Sequence, residues 1–230
     1  MAFSLANVVP WGRSYDEYVE MFSLTAADLR QPILGCGDGP AAFNTVATRE
    51  GRRVVSVDPL YECSGVQIAS RIDAVFGHVV AETARNSDEF VWKHVRSIDE
   101  LSALRRTAMD VFLSDYDTGR HEGRYVAGAL PSLPFSDGAF GLALCSHFLF
   151  LYSAQFDEEF HAASIRELCR VAAEVRIFPL NELGARPSRH LDAVVETCRQ
   201  ARMKPEIVRV NYEFQRGANE FLRLRPPSPA

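Results

Sequence analysis

The sequence predicts an α/β fold, a single domain over residues 1–230 built on a mostly parallel seven-stranded sheet. Three observations carry this. A short apolar segment, Ile33-Leu34, runs into alternate glycines at Gly35, Gly37 and Gly39, and Pro40 then opens a helical run. Glycine tolerates positive φ and has no Cβ, and proline suits the first helical position, so the order reads strand, turn, helix. A second apolar segment, Val54 to Val57, ends in Asp58 and completes a βαβ unit whose right-handed crossover brings both strand ends to one crevice. Near the C-terminus, Glu206 to Phe214 and Asn219 to Arg225 alternate on either side of Gly217 and read as an antiparallel hairpin.

The remaining elements follow in order. Ser14-Tyr15-Asp16-Glu17 and Thr25-Ala26-Ala27-Asp28 have the form of capping boxes, so residues 1–30 read as a helical cap of two short helices. Tyr18, Met21, Phe22 and Leu29 have the spacing of a face packed on the sheet, while Trp11, Arg13 and Tyr15 are less easily explained as core. Ala41 to Glu50 is a helix ended by Gly51. Residues 62–122 exceed what one crossover needs and read as a helical insertion after the second strand. Ser64-Gly65-Val66-Gln67 and Ser97-Ile98-Asp99-Glu100 mark helix starts, and Leu101, Leu104, Ala108 and Val111 form a helical stripe. Insertions at strand ends overhang the crevice, so this one is the expected selector of substrate. Lys93, His94 and Arg96 beside Trp92 are interleaved with Asp88, Glu89, Asp99 and Glu100, the pattern of a solvated face.

Tyr125 to Ala127 is the third strand and Leu142 to Cys145 the fourth, with Ser146-His147-Phe148 where its carboxyl end opens into the crevice. Phe156 to Val171 is an amphipathic helix, Val175 to Phe178 a fifth strand stopped by Pro179, and His190 to Arg202 another helix. Residues 226–230 read as an unstructured tail.

Composition excludes several classes. With 25 Lys and Arg against 30 Asp and Glu, net charge −5, and no basic run, the footprint of a nucleic-acid or anionic-membrane binder is missing. A small-molecule partner is the expectation. Five scattered cysteines without a Cys-x-x-Cys pair, and histidines without ligand spacing, predict neither a disulfide framework nor a metal site. The apolar start Met1 to Val9 is short and lacks a basic flank, and no stretch is long enough to span a bilayer, so a cytoplasmic protein is expected. Oligomeric state is not readable.

The spacing Gly35-x-Gly37-x-Gly39, Asp58 closing the next strand, and Leu133-Pro134-Phe135-Ser136-Asp137-Gly138-Ala139-Phe140 before a further strand resemble the class I S-adenosylmethionine-dependent methyltransferases. The resemblance runs from about Leu29 to the C-terminus outside the insertion. It implies a Rossmann-like three-layer αβα sandwich with an antiparallel C-terminal pair, and S-adenosylmethionine as cofactor. It also implies cofactor contacts from Gly35, Cys36, Gly37, Asp38 and Gly39 to the methionine moiety, from Asp58 to the ribose, and from Pro59 and Leu60 to the adenine. Leu130, Cys145 and Ser146 are further contacts on that reading, and since the N-terminal segment caps the cofactor cleft in resembling enzymes, Trp11, Arg13 and Tyr15 are candidate rim residues. Methyl transfer from a sulfonium needs orientation more than acid–base chemistry; where the acceptor is a hydroxyl or amine, a base helps. His147, the histidine beside the predicted cleft, is the candidate catalytic residue, with Tyr152 the weaker one.

The chain departs from the family pattern at defined points. Ile33 stands where an acid two residues before the first glycine is common, Ala129 where an acid follows the third strand, and Gly141 where Asp usually follows Phe140. No Asn/Asp-Pro-Pro-aromatic tetrapeptide follows the fourth strand, which holds Cys145-Ser146-His147-Phe148. Two alternatives remain beside a small-molecule methyltransferase: a methyltransferase-like binding module without turnover, and a nicotinamide oxidoreductase, against which the lack of Gly-x-Gly-x-x-Gly counts.

Overall fold

In the computed structural model, which describes residues 8–226, β1 (Ile33–Cys36) lies at the centre of the sheet, with β2 (Val54–Val57) on one side and β4 (Phe140–Ser146) on the other. The expectations for residues 1–7 and 227–230 lie outside the described residues. All four β1 residues are buried, as a strand covered on both faces requires. Side chains alternate between two cores: Ile33, Leu142 and Leu144 face one, Leu34, Ala143 and Cys145 the other. Pro32 sits just before β1, where its missing N–H costs no ladder bond, and its carbonyl accepts the Gly141 N–H at 3.0 Å.

Before the sheet, α1 (Tyr15–Met21) starts from a complete Ser14–Glu17 capping box. The Thr25–Asp28 box also forms, with Thr25 N–H donating to Asp28 at 2.8 Å, but it opens only a single 3₁₀ turn, Asp28–Arg30, in place of the second helix expected. Tyr18, Met21 and Phe22 are fully buried. The helix after the glycine turn, α2 (Phe43–Arg49), begins at Phe43 and not at Pro40; Pro40 lies in a turn, and Gly37 and Gly39 hold φ of 66° and 51° there.

The insertion contributes two long helices, α3 (Gly65–Arg85) and α4 (Ile98–His121). Ser64 and Gln67 form a full capping box; at α4 Ser97 accepts the Glu100 N–H, but the Glu100 carboxylate turns to the Arg96 N–H instead. The buried stripe of α4 is Leu101, Arg105, Ala108, Met109, Phe112 and Tyr116, so Leu104 and Val111 lie at its edge and an arginine lies within it. α4 packs on α2 and leads into β3 (Tyr125–Val126), which makes it the crossover helix, while α3 packs on α4 as an added layer.

After β4 come α5 (Glu158–Val171) and β5 (Ala172–Phe178). A two-stranded ribbon that the sequence reading missed, β6 (Asn181–Glu182) with β7 (Arg186–Pro187), precedes α6 (Leu191–Gln200). The hairpin is β8 (Lys204–Arg209) and β9 (Glu220–Arg225); the first strand ends five residues short of Phe214, because residues 210–219 leave the sheet as a loop. Sheet order is β3-β2-β1-β4-β5-β9-β8, parallel through β5 and antiparallel in the last two strands. With α5 and α6 on one face and α1 and α2 on the other, this is the Rossmann-like three-layer sandwich expected. Because the chain moves outward from β1 to β3 and then restarts at β4, strand order reverses between β1 and β4, which opens a crevice at their carboxyl ends.

Candidate functional site

A cavity of about 660 Å³ fills that crevice. Gly37, Asp38, Gly39, Asp58, Pro59 and Leu60 line it, with Ala129 and Leu130 from beyond β3. Ser146 and His147 line it after β4, and so does an apolar set of Val79, Leu101, Phe90, Phe178, Tyr212 and Phe214, in which rings meet between Phe90 and Phe214 and between Phe178 and Tyr212. The volume suits a drug-sized ligand or two smaller ones side by side.

Asp58 ends β2 pointing back at the glycine turn. Its Oδ2 accepts the Gly39 N–H at 2.9 Å and its Oδ1 the Leu60 N–H at 2.8 Å, so one carboxylate ties both cavity loops together. Each oxygen keeps a lone pair for a ligand hydroxyl. Burial raises its pKa and the two backbone bonds oppose that shift.

Asp38 behaves differently. Its side chain turns under β1, where Tyr18 donates to Oδ1 at 2.8 Å and Ser56 to Oδ2 at 2.6 Å. A Cβ on Gly35 would stand 1.8 Å from Oδ2. Gly35 is therefore required by the Asp38 carboxylate and not by close approach of a ligand, and Gly35 itself does not line the cavity. Asp38 thus supplies a carboxylate beneath the turn although Ile33 replaces the usual acid. Burial raises its pKa to about 6, with Asp58 adding to the shift.

Of the other expected contacts, Cys36, Pro59, Leu60, Leu130 and Ser146 line the cavity. Cys145 does not: the alternation of β4 turns it into the core below, fully buried. Trp11 and Arg13 line the cavity as rim residues, whereas Tyr15 stacks on Phe43 at 5.6 Å and donates to Glu50 on the outside. α3 contributes Arg71, Ala74, Val75, Val79 and Thr83, so the insertion does wall the ligand space.

His147 follows β4 with φ 52°, a left-handed conformation costly for a non-glycine residue and typical of functional turns. Its N–H donates to Phe178 O at 2.7 Å, its Nδ1 lies 2.9 Å from Ser146 Oγ, and its ring meets Phe178 edge-on. Burial first, then the charge of Arg13, hold its pKa well below the usual imidazole value. The ring is neutral at physiological pH, and the same burial and charge disfavour its protonated form. Tyr152 also lines the cavity, where burial raises its pKa.

The sequence reading missed a buried charge cluster. Arg105, fully buried on α4, grips Glu17 with both terminal nitrogens at 2.5 and 2.6 Å, and Tyr212 donates to the same carboxylate at 2.8 Å. The signal was present: Arg105 interrupts the apolar stripe of its helix, and a buried guanidinium demands a partner. Phe90 and Phe214 were hidden because they reach the cavity from irregular segments.

Among the described residues no group of His, Cys, Asp and Glu is placed to hold a metal ion, and no helix is long and apolar enough to cross a membrane. No family model matches the sequence. Solved structures with a similar course of chain include the PH0226 protein from Pyrococcus horikoshii OT3, at 12% identity and TM-score 0.49, covering 93% of this chain and 91% of that one. Another is magnesium protoporphyrin IX methyltransferase (ChlM) from Synechocystis PCC 6803 with bound SAM, at 11% identity and TM-score 0.49, covering 93% and 78%. In sequence, the uncharacterized protein MJ0045 of Methanocaldococcus jannaschii is 30% identical over 226 residues, 96% of this chain and 98% of that protein. The chain therefore belongs to the family of MJ0045, and its own structure is a Rossmann-like sheet with a glycine turn after the central strand.

Proposed function

We propose that the protein is an S-adenosylmethionine-dependent methyltransferase acting on a small-molecule acceptor. The observation that carries this is the Asp58 carboxylate, bonded to Gly39 at the mouth of the cavity with acceptor capacity to spare, beside the apolar slot of Pro59, Leu60 and Leu130. A carboxylate at a strand end beside an apolar slot suits a ribose and its base. The bound cofactor would supply an electrophilic methyl group on a sulfonium leaving group. This chain's residues would orient the acceptor against it and exclude water, and that alone lowers the barrier by several kcal/mol.

His147 is the proposed base where the acceptor is a hydroxyl or amine. In the tautomer that donates Nδ1–H to Ser146, Nε2 carries the lone pair that takes the acceptor's proton as its oxygen or nitrogen bonds to carbon. A dinucleotide fits less well: α2 starts four residues after Gly39, and the Ala42 N–H at its cap already donates to Arg13 O, so no helix terminus is offered to a pyrophosphate.

Titration calorimetry with S-adenosylhomocysteine and NADH tests the reading. S-adenosylhomocysteine should bind and NADH should not, and Asp58→Ala should weaken the former about ten- to a hundred-fold, as loss of a charge-assisted hydrogen bond predicts. Unchanged affinity in a folded variant would remove Asp58 from the site. Binding without transfer to any of a broad metabolite panel would favour a module that holds the cofactor and does not turn over.

A further inference from the structure

Arg13 is held by its neighbours only loosely. Glu17 spends both oxygens on Arg105 at 2.5 and 2.6 Å, so Arg13 Nη1 reaches that carboxylate at 3.4 Å and the Tyr212 hydroxyl at 3.4 Å. Arg13 Nε is buried without a hydrogen-bond partner, the side chain is 11% exposed, and it lines the cavity. Two guanidinium groups thus face one carboxylate. Tyr212 does not close the balance, because burial and Glu17 keep its hydroxyl protonated, and burial keeps His147 neutral. Burial and the charge of Arg105 lower the pKa of Arg13 itself, and among the described residues the one carboxylate it reaches, Glu17 at 3.4 Å, is shared with Arg105.

The position of that charge matters. Its partners are Glu17 of α1 and Tyr212 of the 210–219 loop, and the Arg105 guanidinium that shares Glu17 lies 6.0 Å from the centre of the Phe214 ring. Tyr212 lines the cavity with Phe90, Phe178, Phe214 and Val79, as Arg13 itself does. An anion on a ligand among these side chains would meet a guanidinium whose Nε has no partner.

We propose that Arg13 is the receptor for a carboxylate carried by the methyl acceptor, an otherwise apolar and partly aromatic acid whose body packs against Phe90, Phe178 and Phe214. The identity of the occupant as acceptor rests on the methyltransferase reading; the existence of the anion site does not. Glu17, Arg105 and Tyr212 act as positioning residues that hold Arg13 at the wall.

Calorimetry on the protein saturated with S-adenosylhomocysteine tests this, using 1-naphthoate and decanoate as probes against their uncharged primary amides. Each acid should bind at least about tenfold tighter than its amide. Arg13→Met should remove that preference, Arg13→Lys should keep part of it, and S-adenosylhomocysteine should bind both variants within about twofold of the parent. Equal binding of acids and amides to the parent protein, or no binding of either, overturns the proposal even if Arg13→Met fails to fold. A tenfold loss of S-adenosylhomocysteine affinity in Arg13→Met overturns it as well, since the guanidinium would then serve the carboxylate of the cofactor. If the parent protein fails to bind S-adenosylhomocysteine, the methyltransferase reading falls, while an Arg13-dependent preference for acids would still establish the anion site.

Discussion

Gly35 and Asp38 occupy one space: the Asp38 Oδ2 atom lies 1.8 Å from where a β-carbon on residue 35 would be. The turn can hold its buried carboxylate only while residue 35 has no side chain. Gly35→Ala must drive Asp38 from its bonds to Tyr18 and Ser56, and is expected to cost about 3 kcal/mol or more by overpacking and lost hydrogen bonds. In an Asp38→Ala background the same change should cost less than about 1 kcal/mol, a coupling that urea denaturation of the four proteins measures. Equal costs in both backgrounds would show the two positions to be independent.

Asp38 should also give the protein a pH-dependent stability of unusual sign. Its folded pKa is raised to about 6, above the unfolded value of about 3.9. Between these values the folded state binds the proton and the unfolded state does not. The group's favourable contribution is present below about pH 4 and is lost as pH rises to about 6, a change of about 3 kcal/mol. Relative to Asp38→Asn, the parent protein should therefore lose stability over that window. Parallel stability curves for the two proteins would refute the shift.

The Glu17–Arg105 pair should be expensive to break from one side. Glu17→Gln leaves Arg105, fully buried, and Arg13 without a counter-charge, and is expected to destabilise by about 3–5 kcal/mol. The Arg13 and Arg105 charges hold the Glu17 pKa well below the carboxylate range, against the opposing effect of burial. This stabilisation is full above the unfolded pKa of about 4.3 and is lost as pH falls below it, the reverse of Asp38. Thermal melts at pH 7 check the first statement; a loss under about 1 kcal/mol would mean that solvent reaches the pair.

His147→Asn separates the backbone role of this residue from its chemistry. Asn tolerates the left-handed conformation at φ 52°, so the variant should fold and bind S-adenosylhomocysteine as the parent does. If the imidazole accepts the acceptor's proton, turnover should fall about 10²–10⁴-fold. Since the ring is already neutral at the usual imidazole pKa, the parent rate should not climb with pH above about 6.5 on account of this group. Undiminished turnover would make His147 a wall residue.

Local chemistry made much of this molecule legible. An apolar run followed by alternate glycines can be little other than a strand and a tight turn, and a second apolar run ending in Asp58 sets β2 beside it. Ser14 with Glu17 and Ser64 with Gln67 announce helix starts because a capping box is satisfied within four residues. Where the sequence was silent or misleading, the deciding contact lay far along the chain. Asp38 turns inward because Ser56 and Tyr18 receive it, Tyr15 outward because Phe43 and Glu50 do. The first hairpin strand stops at Arg209, and residues beyond it leave the sheet, with Tyr212 bonding Glu17 and Phe214 stacking near Phe90.

The sequence by itself determined the chain order of the seven strands of the main sheet, the glycine turn and the acid that closes β2, because each depends on neighbours a few residues away. Only the tertiary structure decided that Gly35 serves Asp38, that Cys145 faces the core, and that Arg13, Glu17, Arg105 and Tyr212 meet. Burial and unequal charge are properties of that meeting: a guanidinium in water needs no partner, and one walled in beside another does.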